Sequence, residues 1–327
     1  MSRGEKRIAR ILVTGAAGFI GSAVVAALAK RGDEVAALDL APGAALSRIA
    51  GTYPNVSIHT GDMNEWARIA ALLQGGRVDG IVHCAAVVGV PASVQAPFHT
   101  FQVNVAGSLN LLEAMRLFGV KRMVHLSSEE TYGPFLKPRA NEDHPQKPVM
   151  PYGISKLAVE LLGNSYKELH GLECIHIRTC WVYGAALPRP RVPKILIEAA
   201  LDGRALHVEA GADFAVDHTH VDDTVQGIVL ALDKPHHPFD AYNIASGEAP
   251  TMRQIVDIVK ELVPGARLTI GDGPYRHPGG VACVAKGALD ISRARTVLGY
   301  APKFDIRRGL AQCVAALQEA GAQAHAR

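Results

Sequence analysis

An α/β fold with a doubly wound parallel sheet, followed by a smaller C-terminal substrate-binding portion, is what this sequence predicts. Three observations predict it. Short apolar runs alternate with amphipathic helical stretches through the first half. A glycine-rich turn joins the first run to the first helix. After about Tyr183 the texture changes, with prolines at 188, 190 and 193 and then shorter, less regular elements.

Strands are expected at Ile8 to Thr14, Glu34 to Asp39, Val56 to His59, Gly80 to Cys84, Arg122 to Ser127 and Glu173 to Arg178, where apolar and β-branched residues concentrate. Between them, apolar spacing predicts helices at Phe19 to Lys30, Asn64 to Leu73, Phe98 to Phe118 and Tyr152 to His170. Such β-α-β repetition winds a sheet with helices on both faces. Residues 1–183 form the expected nucleotide-binding domain. Thr219 to Leu232 and Tyr242 to Ala245 again resemble sheet-domain elements, so about 219–245 returns to it and the rest of 184–327 is mainly the substrate-binding portion.

Composition narrows the function classes. The 327 residues are 48% hydrophobic and 20% charged with a formal net charge of +3, an ordinary globular balance that gives no argument for nucleic acid. No run reaches the roughly 18 apolar residues of a membrane span. The basic start, Met1 to Arg10, passes straight into a strand without the apolar stretch of a signal peptide, and a cytoplasmic location is expected. The five cysteines, Cys84, Cys174, Cys180, Cys283 and Cys313, are scattered and read as reduced thiols. His218 and His220 alternate, as on one face of a strand, but no Cys or carboxylate set completes a metal site, and none is expected.

Ile11 to Gly21 reads ILVTGAAGFIG, a buried strand running into Gly15, Gly18 and Gly21 and then a helix opened by Phe19 and Ile20. Gly15 permits a tight turn, Gly18 lets the backbone approach a pyrophosphate, and Gly21 lets the helix pack closely, a Rossmann-like arrangement with helix N–H groups offered to phosphates. Asp39 ends the second strand 18 residues after Gly21, where a ribose-binding acid belongs. A carboxylate there repels a 2′-phosphate, so NAD is favoured over NADP.

Here the sequence resembles the extended short-chain dehydrogenase/reductase family, in particular its NAD-dependent nucleotide-sugar epimerases and dehydratases, over about residues 8 to 310. The family's TGxxGFIG is matched by Thr14 to Gly21. Its adenine-contacting acid matches Asp62 in Gly61-Asp62-Met63, and its HxAA segment matches His83-Cys84-Ala85-Ala86. Asn104 matches the helix Asn that supports the family's proton path. The resemblance implies NAD as cofactor, a sugar-like substrate, and helices Phe98 to Phe118 and Tyr152 to His170 pairing across a two-fold in a homodimer.

Tyr152-Gly153-Ile154-Ser155-Lys156 is a YxxxK pair at a helix start, so the two side chains share one face. Oxidising a carbinol requires its hydroxyl proton to leave with the hydride, and a nearby ammonium favours the tyrosinate that takes it. Ser127 to Gly133 reads SSEETYG and resembles the family's SSxxVYG, which puts Ser128 at the reacting oxygen. Glu129 and Glu130 then stand where the family's 4,6-dehydratases carry Asp-Glu. Two carboxyls there supply an acid and a base for a dehydration, provided the strand has ended by Glu129; alternatively, one is a surface acid and the other pairs with a cation or a substrate hydroxyl.

Two family anchors are missing. Trp181, in Arg178 to Gly184, replaces the Asn that contacts the nucleotide, and Val216 replaces an Arg that holds a phosphate. Arg189, Arg191 and Arg276 are the candidates to substitute. The leading expectation is an epimerase- or dehydratase-type reaction on a sugar or nucleotide sugar, after the pattern of UDP-glucose 4-epimerase. The alternatives are a simple dehydrogenase of a free sugar, sugar acid or other small hydroxyl substrate, and a catalytically silent NAD-binding regulatory protein.

Overall fold

The computed structural model describes residues 9–75, 77–277 and 279–325; the basic N-terminal segment through Ile8 lies outside them. Its strands, in chain order, are β1 (Arg10–Thr14), β2 (Glu34–Asp39), β3 (Val56–Thr60), β4 (Gly80–His83), β5 (Arg122–Ser128), β6 (Arg139–Ala140), β7 (Glu173–Thr179), β8 (Leu206–Val208), β9 (Ala241–Ile244), β10 (Leu268–Ile270) and β11 (Ala288–Leu289). Seven of them form one sheet in the order β3-β2-β1-β4-β5-β7-β9. The pairings of β1 with β2 and β4, of β2 with β3 and of β4 with β5 are all parallel. The order reverses between β1 and β4, and it is at the carboxyl ends of strands beside such a reversal that folds of this kind bind ligands.

The strand residues are apolar because helices cover the sheet. Leu12, Leu38, Ile81 and Met123 from the strands meet Ile69, Leu111, Leu112 and Met115 from two covering helices, Trp66–Gln74 and Gly107–Phe118. Most expected strands end within a residue of their observed limits. The expected helix from Phe98 to Phe118 is instead Pro97–Phe101, a π turn at Gln102–Ala106, and Gly107–Phe118. The main-chain N–H of Gly107 reaches back five residues to the carbonyl of Gln102, a local widening that periodicity does not signal. Short helices at Gly43–Thr52 and Val90–Gln95, rich in small residues, add to the expected set.

Contacts divide the chain into two compact units. The first comprises Met1–Thr131, Pro148–Arg178 and Gly227–Tyr242; the second comprises Tyr132–Lys147, Thr179–Gln226 and Asn243–Arg327. In the second unit β8 pairs with β10 and β6 with β11, both parallel. The expected strand carrying His218 and His220 does not form. His220 makes only an isolated bridge to Tyr183, and regular structure resumes as a helix, Val221–Asp233. Both histidine rings meet Tyr183; His218 also lies against Trp181, while His220 packs at a tilt on Phe304 and meets Gln312. No described helix is long and apolar enough to cross a membrane.

Candidate active site

The first unit carries the glycine turn. Gly15 has φ of 66°, a left-handed conformation natural to glycine, and a Cβ there would lie 2.6 Å from the main-chain nitrogen of Ala85. A Cβ on Gly21 would fall 2.0 Å from the carbonyl oxygen of Gly15, so the first helix turn packs directly on the loop. The helix Phe19–Arg31 begins at Gly18 with no side-chain cap. Its first N–H groups, those of Phe19, Ile20 and Gly21 among them, have no intrahelical acceptors and suit a phosphate.

Of the other residues expected to hold the cofactor, Asp39 and Ala85 touch that turn. Asp39 accepts hydrogen bonds from the N–H of Ala17 (2.8 Å) and of Leu40 (2.7 Å), which fixes the carboxylate at the end of β2. Asp62 accepts from the N–H and the side-chain amide of Asn64, while Met63 is buried beside Gly107. Ala85 and Ala86 follow β4. Asn104 is buried in the π turn; its Oδ1 accepts from the Val87 N–H at 2.7 Å and its Nδ2 donates to the Ser155 hydroxyl at 2.9 Å. A turn of helix widened at a buried polar side chain is a common device at functional sites.

β5 ends at Ser128 and a single 3₁₀ turn, Glu129–Tyr132, follows it. The strand has therefore ended where both glutamates begin, and both are buried, Glu129 at 2% and Glu130 at 9% exposure. Ser128 is buried too, its Oγ accepting from the Glu130 N–H at 3.2 Å. Pro151–His170 is the helix that carries Tyr152 and Lys156, with Pro at its first position. A Cβ on Gly153 would lie 2.5 Å from the Glu130 carbonyl oxygen, so glycine at this position lets the helix start press on the Ser128–Glu130 turn. Periodicity gave no signal for that contact.

Tyr152 and Lys156 are both buried. The Lys156 Nζ donates to the Leu126 carbonyl at 2.7 Å, and burial pushes its pKa down to about 8 against the opposing pull of Cys84 and Glu160. One turn further on, Glu160 receives Nε and Nη2 of Arg178 at 3.0 and 2.7 Å and the Ser127 hydroxyl at 2.6 Å. These hydrogen bonds and the guanidinium outweigh burial and hold the carboxyl below its usual range. Nothing in the sequence around Arg178 signals this buried partnership, which joins residues 18 apart.

The second unit holds the remaining candidates. Trp181 is 5% exposed, with the Arg191 guanidinium 3.8 Å from its ring centroid and Phe214, His218, Tyr275 and His277 around it. Val216 is fully buried. Arg189 and Arg276 are exposed, the latter donating to the Gly280 carbonyl at 2.9 Å. No group of three or more metal-ligating side chains occurs among the described residues.

The first unit thus holds a glycine turn at the strand-order reversal and a buried Tyr152–Lys156 pair on one helix face. The model of the NAD dependent epimerase/dehydratase family matches residues 11–245. The chain belongs to that family. It is similar to the UDP-glucose 4-epimerase of Mycolicibacterium smegmatis, 35% identical over 314 residues that span 93% of this chain and 97% of that protein. Similarity to the dTDP-glucose 4,6-dehydratase of an Actinoplanes species is 31% over 320 residues, 94% of this chain and 97% of the relative. Among solved structures, MoeE5 in complex with UDP-glucuronic acid and NAD superposes with a TM-score of 0.84 at 29% identity, over 95% of this chain and 99% of the other. This family member is thus an NAD-dependent enzyme of the epimerase/dehydratase type, on a Rossmann-like fold.

Proposed function

We propose that this enzyme is a nucleotide-sugar 4-epimerase that oxidises a secondary carbinol and then reduces the resulting ketone from the opposite face. The observation that carries the reading is the burial of Tyr152 and Lys156 on one face of a helix whose start rests on the Ser128 turn. The similarity to UDP-glucose 4-epimerases supports the choice of substrate.

Bound NAD would accept the hydride and return it. Gly15, Gly18 and the first turn through Phe19, Ile20 and Gly21 would hold the pyrophosphate. Asp39 keeps lone pairs for the adenosine ribose hydroxyls beyond its two main-chain bonds, and Asp62, Met63, Ala85 and Ala86 would border the adenosine. Tyr152 takes the carbinol proton through its phenolic oxygen and restores it on the return. The Lys156 ammonium favours the tyrosinate, and Ser128 Oγ orients the reacting oxygen. Asn104 holds the Ser155 hydroxyl, which in turn donates to the Tyr152 carbonyl at 2.7 Å. Arg189, Arg191 and Arg276 in the second unit would be the candidates to hold a diphosphate, with the Arg191 guanidinium over the Trp181 ring.

A second reading, 4,6-dehydration, has its own support. Both Glu129 and Glu130 sit in a turn where neither is committed to strand alternation, and both are buried. Two carboxyl groups there would supply the acid and the base that loss of water after oxidation requires.

A homodimer is part of the proposal. The helix Pro151–His170 exposes Ile154, Leu161 and Leu169 at near-heptad spacing, and Gly107–Phe118 exposes Leu109 and Leu117, an apolar surface of the kind that two-fold pairing covers. Five free thiols fit a reducing, cytoplasmic setting. Tyr152→Phe tests the central assignment: NAD binding survives while turnover falls about 10²–10⁴-fold, the share that general acid–base catalysis supplies; an unchanged rate would remove Tyr152 from the mechanism.

A further inference from the structure

Three strands carry histidines into the same buried layer: His83 on β4, His125 on β5 and His176 on β7. His125 and His176 meet through their Nδ1 atoms at 3.2 Å, and the Nε2 of His125 has no hydrogen-bond partner among the described residues. His83 differs, since both of its ring nitrogens are engaged. Nδ1 lies 2.7 Å from the Thr14 hydroxyl, and Nε2 lies 2.8 Å from the Ser108 hydroxyl.

The directions of these bonds are fixed by their neighbours. The Ser108 hydroxyl donates to the Asn104 carbonyl, so its oxygen accepts from His83, which puts the proton on Nε2. Nδ1 then accepts from the Thr14 hydroxyl, whose own oxygen faces the Ala85 N–H at 3.4 Å. One arm thus ends at Thr14, the residue before Gly15. The other ends in the π turn, whose Asn104 side chain holds Ser155, and Ser155 in turn holds the first turn of the Tyr152 helix at the Tyr152 carbonyl.

We propose that His83 is a positioning residue, which as the neutral Nε2–H tautomer couples the cofactor loop through Thr14 to the helix of Tyr152 and Lys156 through Ser108 and Asn104. Its Thr14 arm sets the loop for the dinucleotide, and its Ser108 arm sets the phenol for proton transfer. The second arm rests on the role given to Tyr152 above; the first does not. Burial and the nearby Lys156 push the His83 pKa down to about 3, so the neutral form persists at working pH.

Side-chain amides separate the two arms. In His83→Asn the amide oxygen stands near the place of Nδ1 and accepts from Thr14, whereas in His83→Gln the amide nitrogen stands near the place of Nε2 and donates to Ser108. The full-length variants, with Thr14→Val and Ser108→Ala, are measured for NAD affinity by calorimetry without sugar, for kcat and KM with UDP-glucose, and for thermal midpoint. Each lost hydrogen bond is expected to change its own readout about tenfold. His83→Gln and Thr14→Val weaken NAD binding and spare kcat at saturating NAD; His83→Asn and Ser108→Ala lower kcat with little change in NAD affinity or sugar KM. Losses in both readouts that follow the thermal midpoint, or parental values in all four variants, would overturn the coupling. Because the NAD arm is read without turnover, it stands or falls separately from the epimerase assignment.

Discussion

The Nζ of Lys156 donates a 2.7 Å hydrogen bond to the carbonyl oxygen of Leu126, two residues before Ser128. This bond ties the YxxxK helix to the end of β5 and keeps the ammonium in a place where burial lowers its pKa to about 8. The cation that favours the Tyr152 phenolate is therefore lost as pH rises through that value. We expect kcat/KM to fall on an alkaline limb near pH 8; a plateau extending to pH 10 would contradict the assignment.

Stability follows the same shift with its own sign. The unfolded chain holds the Lys156 proton up to its ordinary pKa of 10.5 and the folded chain only up to about 8, so this contribution rises with pH between those values. Below pH 8 the buried charge costs about 3 kcal/mol, from 1.36 kcal/mol per pKa unit. Lys156→Met is expected to gain more stability over the parent at pH 7 than at pH 10, as read from urea unfolding at the two pH values.

Gly153 has no room for a methyl group, because the Glu130 carbonyl oxygen would be 2.5 Å away. Gly153→Ala should therefore push the helix start off the Ser128 turn, costing about 1–3 kcal/mol as overpacking does. Activity is expected to fall by more than the folded fraction does, which combined kinetics and thermal denaturation will show.

Arg178 and Glu160 form a two-pronged pair with side-chain exposures of 6% and 3%. Arg178→Met leaves an uncompensated buried carboxylate and should cost about 3–5 kcal/mol. Combining it with Glu160→Leu should recover much of that loss, because neither charge then remains; a double-mutant cycle in denaturant measures the difference.

Leu161 and Leu169 are 59% and 71% exposed on the Tyr152 helix. If that surface pairs two copies, Leu161→Glu converts a dimer to a monomer of half the mass in sedimentation velocity. A parent that already sediments as a 34.7 kDa species would remove the dimer from the account.

Much of the sheet was legible because its signals are local. Ile11 to Gly21 announces strand, turn and helix through side-chain type alone, and Gly15 adopts the positive φ that its place in the motif requires. The shared helix face of Tyr152 and Lys156 was legible through their spacing. What sequence could not supply were contacts between distant segments: Gly153 under Glu130, Glu160 held by Arg178, and the Asn104 side chain bonded to Val87 and Ser155 from within the π turn. His218 and His220 misled for a related reason. Alternation predicts a shared strand face only where a strand forms, and here both rings meet Tyr183 while His218 also packs on Trp181 and His220 on Phe304.

The most direct test of the epimerase reading is to incubate the purified enzyme with NAD and UDP-glucose, resolving the sugar products by chromatography while NADH is followed by absorbance. The account predicts UDP-galactose with no net NADH, since the hydride is returned to the same carbon. Net NADH matching the sugar consumed, with no epimer formed, would contradict it and make the enzyme a dehydrogenase.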